Sequence, residues 1–370
     1  MSFLKSATAR RMATFSATCA LAAGLMSAPL FADTSASLIS GTDILRTWNL
    51  VVLGDLNSTS EVEGKTFVGG NLTGSSSNYQ IASSVANDST TPGLTVVGDV
   101  TGSTKNLNNG SGAVIGGNVT SGFNLNGAAQ TVEVGGTISN TNVNQNTVNS
   151  GLATSNPDFV QNLQQQSSLI QTSMTDLSHQ LGTLATNSTF AISGNTGTFT
   201  AQPDASGVAV FNITTADLDK IGEISFNLNG ADTAIVNVSG SSITLNDNFL
   251  GGTQNLGEHV IWNFEDATSL TATTAWGGSV LAPDAAATTY NYIQGSAVFA
   301  SLNQYGEMHV GTYAGTYETP SGDSTPTDPG STSSSSGGAT AVPEPGMLAL
   351  MGLGFSAVAL RFRRRPRKMA

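Results

Sequence analysis

The stretch Ala113-Val114-Ile115-Gly116-Gly117-Asn118-Val119-Thr120 decides the fold, because the chain repeats it. Further copies read Phe67-Val68-Gly69-Gly70-Asn71-Leu72-Thr73, Val96-Val97-Gly98-Asp99-Val100-Thr101 and Val132-Glu133-Val134-Gly135-Gly136-Thr137-Ile138-Ser139, with a fainter one, Val52-Leu53-Gly54-Asp55-Leu56-Asn57, standing first. The glycine-to-glycine steps from Gly54 through Gly69, Gly98 and Gly116 to Gly135 are 15, 29, 18 and 19 residues. Self-similarity at such a period means one supersecondary unit stacked on itself. Each unit is an apolar β-branched pair, a glycine corner and an alternating strand. The corner is expected to need the positive φ that glycine permits, and the alternation sends one side chain inward and the next outward. The period leaves no room for a helix in each repeat. The reading is mainly β: a right-handed parallel β-helix (solenoid).

Composition agrees. The 370-residue chain is only 10% charged, against roughly 25% in ordinary soluble domains. Small polar side chains suit stacked strands, where long charged ones would repel between coils. Asn-rich connectors (Asn106-Leu107-Asn108-Asn109, Asn124-Leu125-Asn126, Asn140-Thr141-Asn142-Val143-Asn144) read as amide ladders or self-satisfied turns in preference to a metal or sugar site.

The pattern then changes period. Asn156-Pro157-Asp158 reads as a helix start, with Asn at the N-cap and Pro at the first helical position. Behind it Phe159, Leu163, Ile170, Met174, Leu177, Leu181 and Leu184 lie on one helical face. One helix over 157–185 is expected to lie along some eight or nine coils, about 43 Å at 1.5 Å per residue; a coiled-coil dimerisation arm is the alternative. His179 reads as a surface residue. Alternating strands return after the helix, among them Val208-Ala209-Val210-Phe211-Asn212-Ile213 and Val260-Ile261-Trp262-Asn263-Phe264.

The ends read as addresses. Residues 1–32, with Lys5, Arg10 and Arg11 ahead of an apolar stretch, read as a signal peptide cleaved after Ala32. The single cysteine, Cys19, lies inside it, so the body has no thiol chemistry. The body occupies 33–318. Residues 319–341, all Pro, Gly, Ser, Thr, Asp and Ala, form a linker expected to be disordered and flexible. Residues 342–370 hold Pro343-Glu344-Pro345, an apolar run read as a transmembrane helix, and the basic cluster Arg361, Arg363, Arg364 and Arg365. The basic cluster is expected to stay cytoplasmic, with the body across the membrane.

With residues 1–32 and 342–370 removed, four basic residues remain (Arg46, Lys65, Lys105, Lys220) against 24 acids, two of them in the linker, a net charge of −20. Nucleic-acid binding needs a basic footprint and is excluded.

Two resemblances add to this reading. The tail resembles the PEP-CTERM sorting signal of Gram-negative bacteria, carrying its Pro-Glu-Pro motif, apolar helix and arginine cluster in order. That resemblance implies recognition and cleavage by an exosortase near Pro343, Glu344 and Pro345, an exopolysaccharide-producing host, and a location at or beyond the cell surface after transient inner-membrane anchoring. The body, over roughly residues 42 to 317, resembles the choice-of-anchor A domain. It carries that family's features as Trp48-Asn49-Leu50-Val51-Val52-Leu53-Gly54-Asp55, Val68-Gly69-Gly70-Asn71, Asp158-Phe159, Asn237-Val238-Ser239-Gly240, Trp262-Asn263-Phe264 and Gly278-Ser279-Val280-Leu281-Ala282-Pro283. The resemblance implies an adhesive right-handed solenoid, similar to ice-binding β-helices, with an accessory helix. It supplies neither a ligand nor a catalytic set.

The chemistry is correspondingly sparse. Glu61/Glu63, Asp217/Asp219 and Glu265/Asp266 are tight acid pairs, of which Glu61/Glu63 would share a strand face as a glycosidase pair must. They read as solvated acids, and Glu307/His309 as a structural pair closing the last coil. No catalytic residue and no cofactor is expected. Three classes remain: a biofilm-matrix adhesin, which is favoured; an ice-binding protein; and a polysaccharide-active β-helix enzyme. Ice binding would need a flat Thr-X-Thr array coil after coil, and the sequence offers only Thr271-Ala272-Thr273 and scattered threonines. For the adhesin, exopolysaccharide or other surface glycans are the expected partners. Acidic ones would be bridged by calcium at oxygen-rich loops such as Asn246-Asp247-Asn248 and Asn263-Phe264-Glu265-Asp266; neutral ones would bind through Tyr290, Tyr292 and Tyr305.

Overall fold

The computed structural model describes residues 40–87 and 90–318; the stretches read from sequence as signal peptide, linker and sorting segment lie outside them. The described residues form a parallel β-solenoid whose coils have three faces. In the N-terminal half the first face is built from Leu50–Val52, Thr66–Val68, Leu94–Val96, Ala113–Ile115, Thr131–Val134 and Thr147–Asn149. Leu56–Ser58 and Leu72–Thr73, extended by single bridges at Val100, Val119 and Ile138, make the second. The third carries Glu61–Val62, Ser77–Tyr79, Lys105–Leu107 and Phe123–Leu125. Inward residues such as Leu50, Val52, Leu56, Val62, Val68 and Leu72 are fully buried and stack on their copies in the next coil.

Order in space is not order in sequence. Along the first face the chain runs Val208–Thr214, Thr233–Ser239, Val260–Asn263, Ser279–Thr289 and Ala297–Gln304, and the next strand in the sheet is Leu50–Val52. From there the N-terminal strands continue in the same direction to Thr147–Asn149. The stack is one uninterrupted screw whose chain ends meet inside it: Leu50 pairs with Ala297, Leu56 with Leu302 and Val62 with Met308. Buried Asn49 stitches that junction. Its Nδ2 donates to Gly295 O at 2.7 Å and His309 O at 2.9 Å, and its Oδ1 accepts from Gly64 N at 2.9 Å.

A screw that starts in the middle needs a return path from one end of the stack to the other, and the helix supplies it. The helices are α1 (Gly41–Thr47), α2 (Leu152–Ser155), α3 (Asp158–Gly182) and α4 (Thr215–Leu218). Helix α3 has 25 residues, about 37 Å at 1.5 Å per residue, and buries the predicted apolar stripe against the first face and α1. It is not a dimerisation arm. It stops at Gly182, short of residue 185, and it begins at Asp158 with Pro157, not Asn156, in the cap position and no side-chain cap bond. Its C-terminal turns are held by an asparagine ladder on three consecutive coils. Asn263 Nδ2 donates to Ser178 O at 2.9 Å, Asn237 Nδ2 to Leu181 O at 2.8 Å and Asn212 Nδ2 to Leu184 O at 2.9 Å. Of these, Leu181 O is among the last four carbonyls of the helix, which lack intrahelical partners, and Leu184 lies just beyond its end.

The corner glycines correct one expectation. Gly69, Gly116 and Gly135 do not have positive φ. A Cβ on each would instead collide with the carbonyl of the coil beneath: Leu53 O under Gly69, Val97 O under Gly116, Gly116 O under Gly135. On the outer side the same positions face Ser167, Leu163 and Val160 of α3. The following glycines, Gly70, Gly98, Gly117 and Gly136, leave room for the side chains of Asp55, Asn71, Asp99 and Asn118. Close stacking is the constraint, and φ is not.

Both ends of the stack are capped by side chains that imitate a further strand, which blunts open edges. Asn187 Oδ1 accepts from Val210 N at 2.8 Å while its Nδ2 donates to Val208 O at 3.0 Å. At the other end Thr141 Oγ1 and Asn142 Oδ1 accept from Phe123 N and Leu125 N at 3.1 and 2.8 Å. Two charged residues point into the interior. Lys105 is fully buried, and its Nζ donates to the carbonyls of Thr73, Gly74 and Ser75 at 3.3, 3.2 and 2.6 Å. Burial pushes its pKa down to about 8. Asp247 is fully buried with neither carboxylate oxygen hydrogen-bonded. Burial, reinforced by Asp219, pushes its pKa up to about 7.

Two predictions follow from this packing. Gly116→Ala should cost about 3 kcal/mol in urea unfolding because a methyl has nowhere to go. Gly194→Ala, at φ +60 with open space around it, should cost only about 1 kcal/mol. Asp247 has its folded pKa raised from 3.8 to about 7, so the folded state holds more protons than the unfolded one between those values. Its favourable contribution is complete below pH 4 and is lost as pH rises through 7, by about 4 kcal/mol at most. Asp247→Asn should therefore be the more stable protein at pH 8 and flatten that part of the stability–pH curve.

Candidate binding face

The first face is covered by α3 and α1. The second is open, and its outward residues fall into columns because every coil is in register. One column runs Thr244, Thr271, Thr288, Asn303, Asn57 and Thr73, each paired with the next. The bridges Leu72 to Val100, Val100 to Val119 and Val119 to Ile138 carry the same position on through Thr101, Thr120 and Ser139. Asn57 Nδ2 donates to Asn303 Oδ1 at 3.2 Å, and Thr101 Oγ1 to Thr73 Oγ1 at 3.2 Å. Between the columns the inward residues Ile243, Leu270, Ala287, Leu302, Leu56, Leu72, Val100 and Val119 are buried.

The second column, two residues earlier on each strand, has two characters. Across Ser242, Ser269, Ala286 and Ser301 it is uncharged. Across Asp55, Asn71, Asp99, Asn118 and Thr137 it is a ladder in which each side-chain oxygen accepts the next coil's backbone N–H, at 2.7, 2.9, 2.6 and 3.0 Å. Asp and Asn alternate. The like charges of Asp55 and Asp99 are thereby kept two coils apart, about 9.6 Å at 4.8 Å per coil, beyond the Debye length of about 8 Å at physiological salt. The glycines of the repeat make the room this ladder occupies.

The array is thus a column of one residue per coil, and Thr271-Ala272-Thr273 is not its unit. Thr271 belongs to it, while the Thr273 hydroxyl turns back to Leu245 O at 3.4 Å. Polar-apolar-polar triplets after each corner (Asn71-Leu72-Thr73, Asp99-Val100-Thr101, Asn118-Val119-Thr120) were the available signal in the N-terminal half. The continuation through Asn303, Thr288 and Thr271 was not legible, because only the junction of the chain ends brings it alongside.

The third face carries Glu61, with Glu63 and Glu307 directly beside its strands. Glu61 Oε1 accepts from Asn78 Nδ2 at 2.9 Å, and Glu63 Oε2 accepts from Val310 N at 2.6 Å. Glu307 Oε2 lies 2.8 Å from His309 Nε2, closing the last coil as expected. Asp217 caps α4 and pairs with Lys220 at 3.0 Å, and Glu265 pairs with exposed His179 at 2.7 Å. The expected amide ladders are present, Asn124 to Asn106 at 2.8 Å and Asn126 to Asn108 at 3.1 Å. Tyr290 stacks on Tyr305 at 5.4 Å and Tyr292 on His309 at 4.3 Å, so these rings turn faces toward each other.

Of the two oxygen-rich loops, Asn246, Asn248 and Asp266 are exposed. Asp247 points inward, and Asn263 is buried in the ladder beneath α3. Among the described residues no three His, Cys, Asp or Glu side chains converge to hold a metal ion. Pro343, Glu344, Pro345, Arg361, Arg363, Arg364, Arg365 and Ala32 lie outside the described residues.

Comparison with known proteins places this geometry. Residues 341–365 match the PEP-CTERM protein-sorting motif, the mark of a protein directed to the cell surface. No curated protein matches the chain. Among solved structures, the crystal structure of an ice binding protein from an Antarctic bacterium, Flavobacteriaceae, is similar at 12% identity and a TM-score of 0.25, over 73% of this chain and 82% of that one. Residues 41–310 match the model of an ice-binding-like adhesive domain, and the chain belongs to that family.

Proposed function

We propose that this is an exported adhesive protein of the biofilm matrix, which holds neutral polysaccharide through its second face and is released to that role by exosortase processing after Pro343-Glu344-Pro345. The observation that carries the reading is the in-register column from Thr244 to Ser139, where small hydroxyls and amides recur about every 4.8 Å. A repeating polymer has the same translational character, so contacts individually weak add along the axis. Of the paired acids, Glu61, Glu63, Asp217 and Glu265 are each held by a hydrogen-bond or ion-pair partner, which favours adhesion over hydrolysis. Charge favours a neutral partner: Lys105 is interior, Lys220 is paired with Asp217, and Arg46 with Asp43 and Glu318. An acidic polymer would need a bridging cation.

Ice binding is the second reading, and the threonine positions of the same column favour it. A thermal hysteresis measurement on the mature chain separates the two.

Thr271→Tyr together with Thr101→Tyr places bulk on the face without touching the interior. The pair should weaken binding to neutral matrix polysaccharide by about tenfold or more, roughly 1.4 kcal/mol, with melting unchanged. Binding to the neutral polymer should be indifferent to chelator, whereas any binding to an acidic one should require millimolar calcium. Equal binding by the double variant would remove the second face from the account.

Processing is tested by mass spectrometry of protein recovered from the cell surface or medium. An N-terminus at or near Asp33 and no peptide from Gly346 onward are expected. An intact C-terminus in a host with a working exosortase would end the sorting part of the proposal.

A further inference from the structure

We propose that the domain is a load-bearing unit: the end of the chain that leads to the linker is built into the interior of the stack, so tension on that end cannot peel it coil by coil. The inference rests on the adhesive reading for its purpose, and on topology alone for its mechanics.

In a solenoid stacked in chain order, the C-terminal coil is an edge coil. It is hydrogen-bonded on one side only, and a pull on the C-terminus opens one ladder at a time, exposing a fresh edge after each step. Here the final coil is bonded on both sides on every face. On the first face Ala297 to Phe299 pair with both Val280 to Ala282 and Leu50 to Val52. On the second, Leu302 to Gln304 pair with both Ala287 to Thr289 and Leu56 to Ser58. On the third, Met308 pairs with both Ile293 and Val62. Extracting this coil requires two ladders to fail together.

A strap protects the coil further. After His309 the chain turns back along the corner between the third and first faces, toward coils far from the junction. Ala314 N donates to Glu258 O at 3.0 Å, Tyr313 Oη lies 2.7 Å from Thr233 Oγ1, and Thr316 N donates to Asp232 Oδ2 at 2.6 Å. Arg46 of α1 closes over it, with Nη2 donating to Gly315 O at 2.7 Å and Nη1 2.9 Å from Glu318 Oε1. The ion pair is largely solvated and contributes little, but Tyr313 is buried with its hydroxyl satisfied. A pull at Glu318 therefore loads several bonds on different coils before it reaches the final strand.

The ends of the described chain lie side by side, Ser40 Oγ donating to Glu318 Oε2 at 3.2 Å. A circular permutant is therefore geometrically simple, and the body's lack of cysteine gives a clean handle. The mature chain carrying Thr244→Cys would be held at that thiol and pulled through its C-terminal linker in a single-molecule force experiment. The comparison is a permutant of the same residues with Glu318 joined to Ser40 by a short linker and the chain opened at Ser150, which makes Thr147–Asn149 the pulled edge.

The native chain should yield in one large event, at about twice the force of the permutant's first step because two ladders rather than one are broken. The permutant should unravel in a series of coil-sized steps. Should the permutant fail to fold, Tyr313→Phe in the native order should lower the rupture force while leaving the single large event. Coil-by-coil unravelling of the native chain from its C-terminus, at forces the permutant shows or unaffected by Tyr313→Phe, would overturn the proposal. Failure of adhesion with the single rupture intact would remove the adhesive reading and leave the mechanical one standing.

Discussion

The structure depends on one interaction, the pairing of the last coil of the chain with the first. Residues more than 240 apart in sequence sit in register on all three faces (Leu50 with Ala297, Leu56 with Leu302, Val62 with Met308). Each half of the screw is an incomplete stack with an exposed apolar cross-section until that junction forms. Asn49 sits at the point of closure, where an apolar side chain would leave Gly295 O and Gly64 N buried without partners, each costing about 1–3 kcal/mol. The junction also turns two short polar columns into one long one.

Helix α3 follows from the same constraint. A screw that begins at its own middle must carry the chain from the Thr147–Asn149 end back to the Val208–Thr214 end. A rod of 25 helical residues spans about eight coil spacings of 4.8 Å at 1.5 Å per residue. Its apolar stripe covers the first face, and the asparagines at positions 212, 237 and 263 hold its end. The second and third faces stay open, and the second carries an in-register column of Thr, Asn and Ser along its length.

Much of this was legible in the sequence because repetition is visible without knowing what repeats. The coil period, the glycine corners, the amide ladders and the single amphipathic helix all come from local pattern. What the glycines are for was misread: positive φ is a local property and was the natural reading, whereas the operative constraint is the carbonyl of another coil. The binding column was half visible, since triplets such as Asn118-Val119-Thr120 repeat at the coil period. Thr244, Thr288 and Asn303 carry no such periodic signal, and only the register between the halves aligns them with Asn57. Asp247 and Lys105 look like surface charges in a polar context; their inward direction is set by alternation along strands whose phase the sequence leaves open.

The central claim is that the chain ends meet in the interior of a single continuous screw. Spin labels at Asn57→Cys and Asn303→Cys in the mature chain test it most directly, since the body has no other cysteine. The paired register of these residues places their backbones about 4.8 Å apart, so the continuous-wave spectrum of the doubly labelled protein should show strong dipolar broadening absent from either single label. A spectrum equal to the sum of the two single labels would contradict the account, because a stack built in chain order would hold these positions at opposite ends.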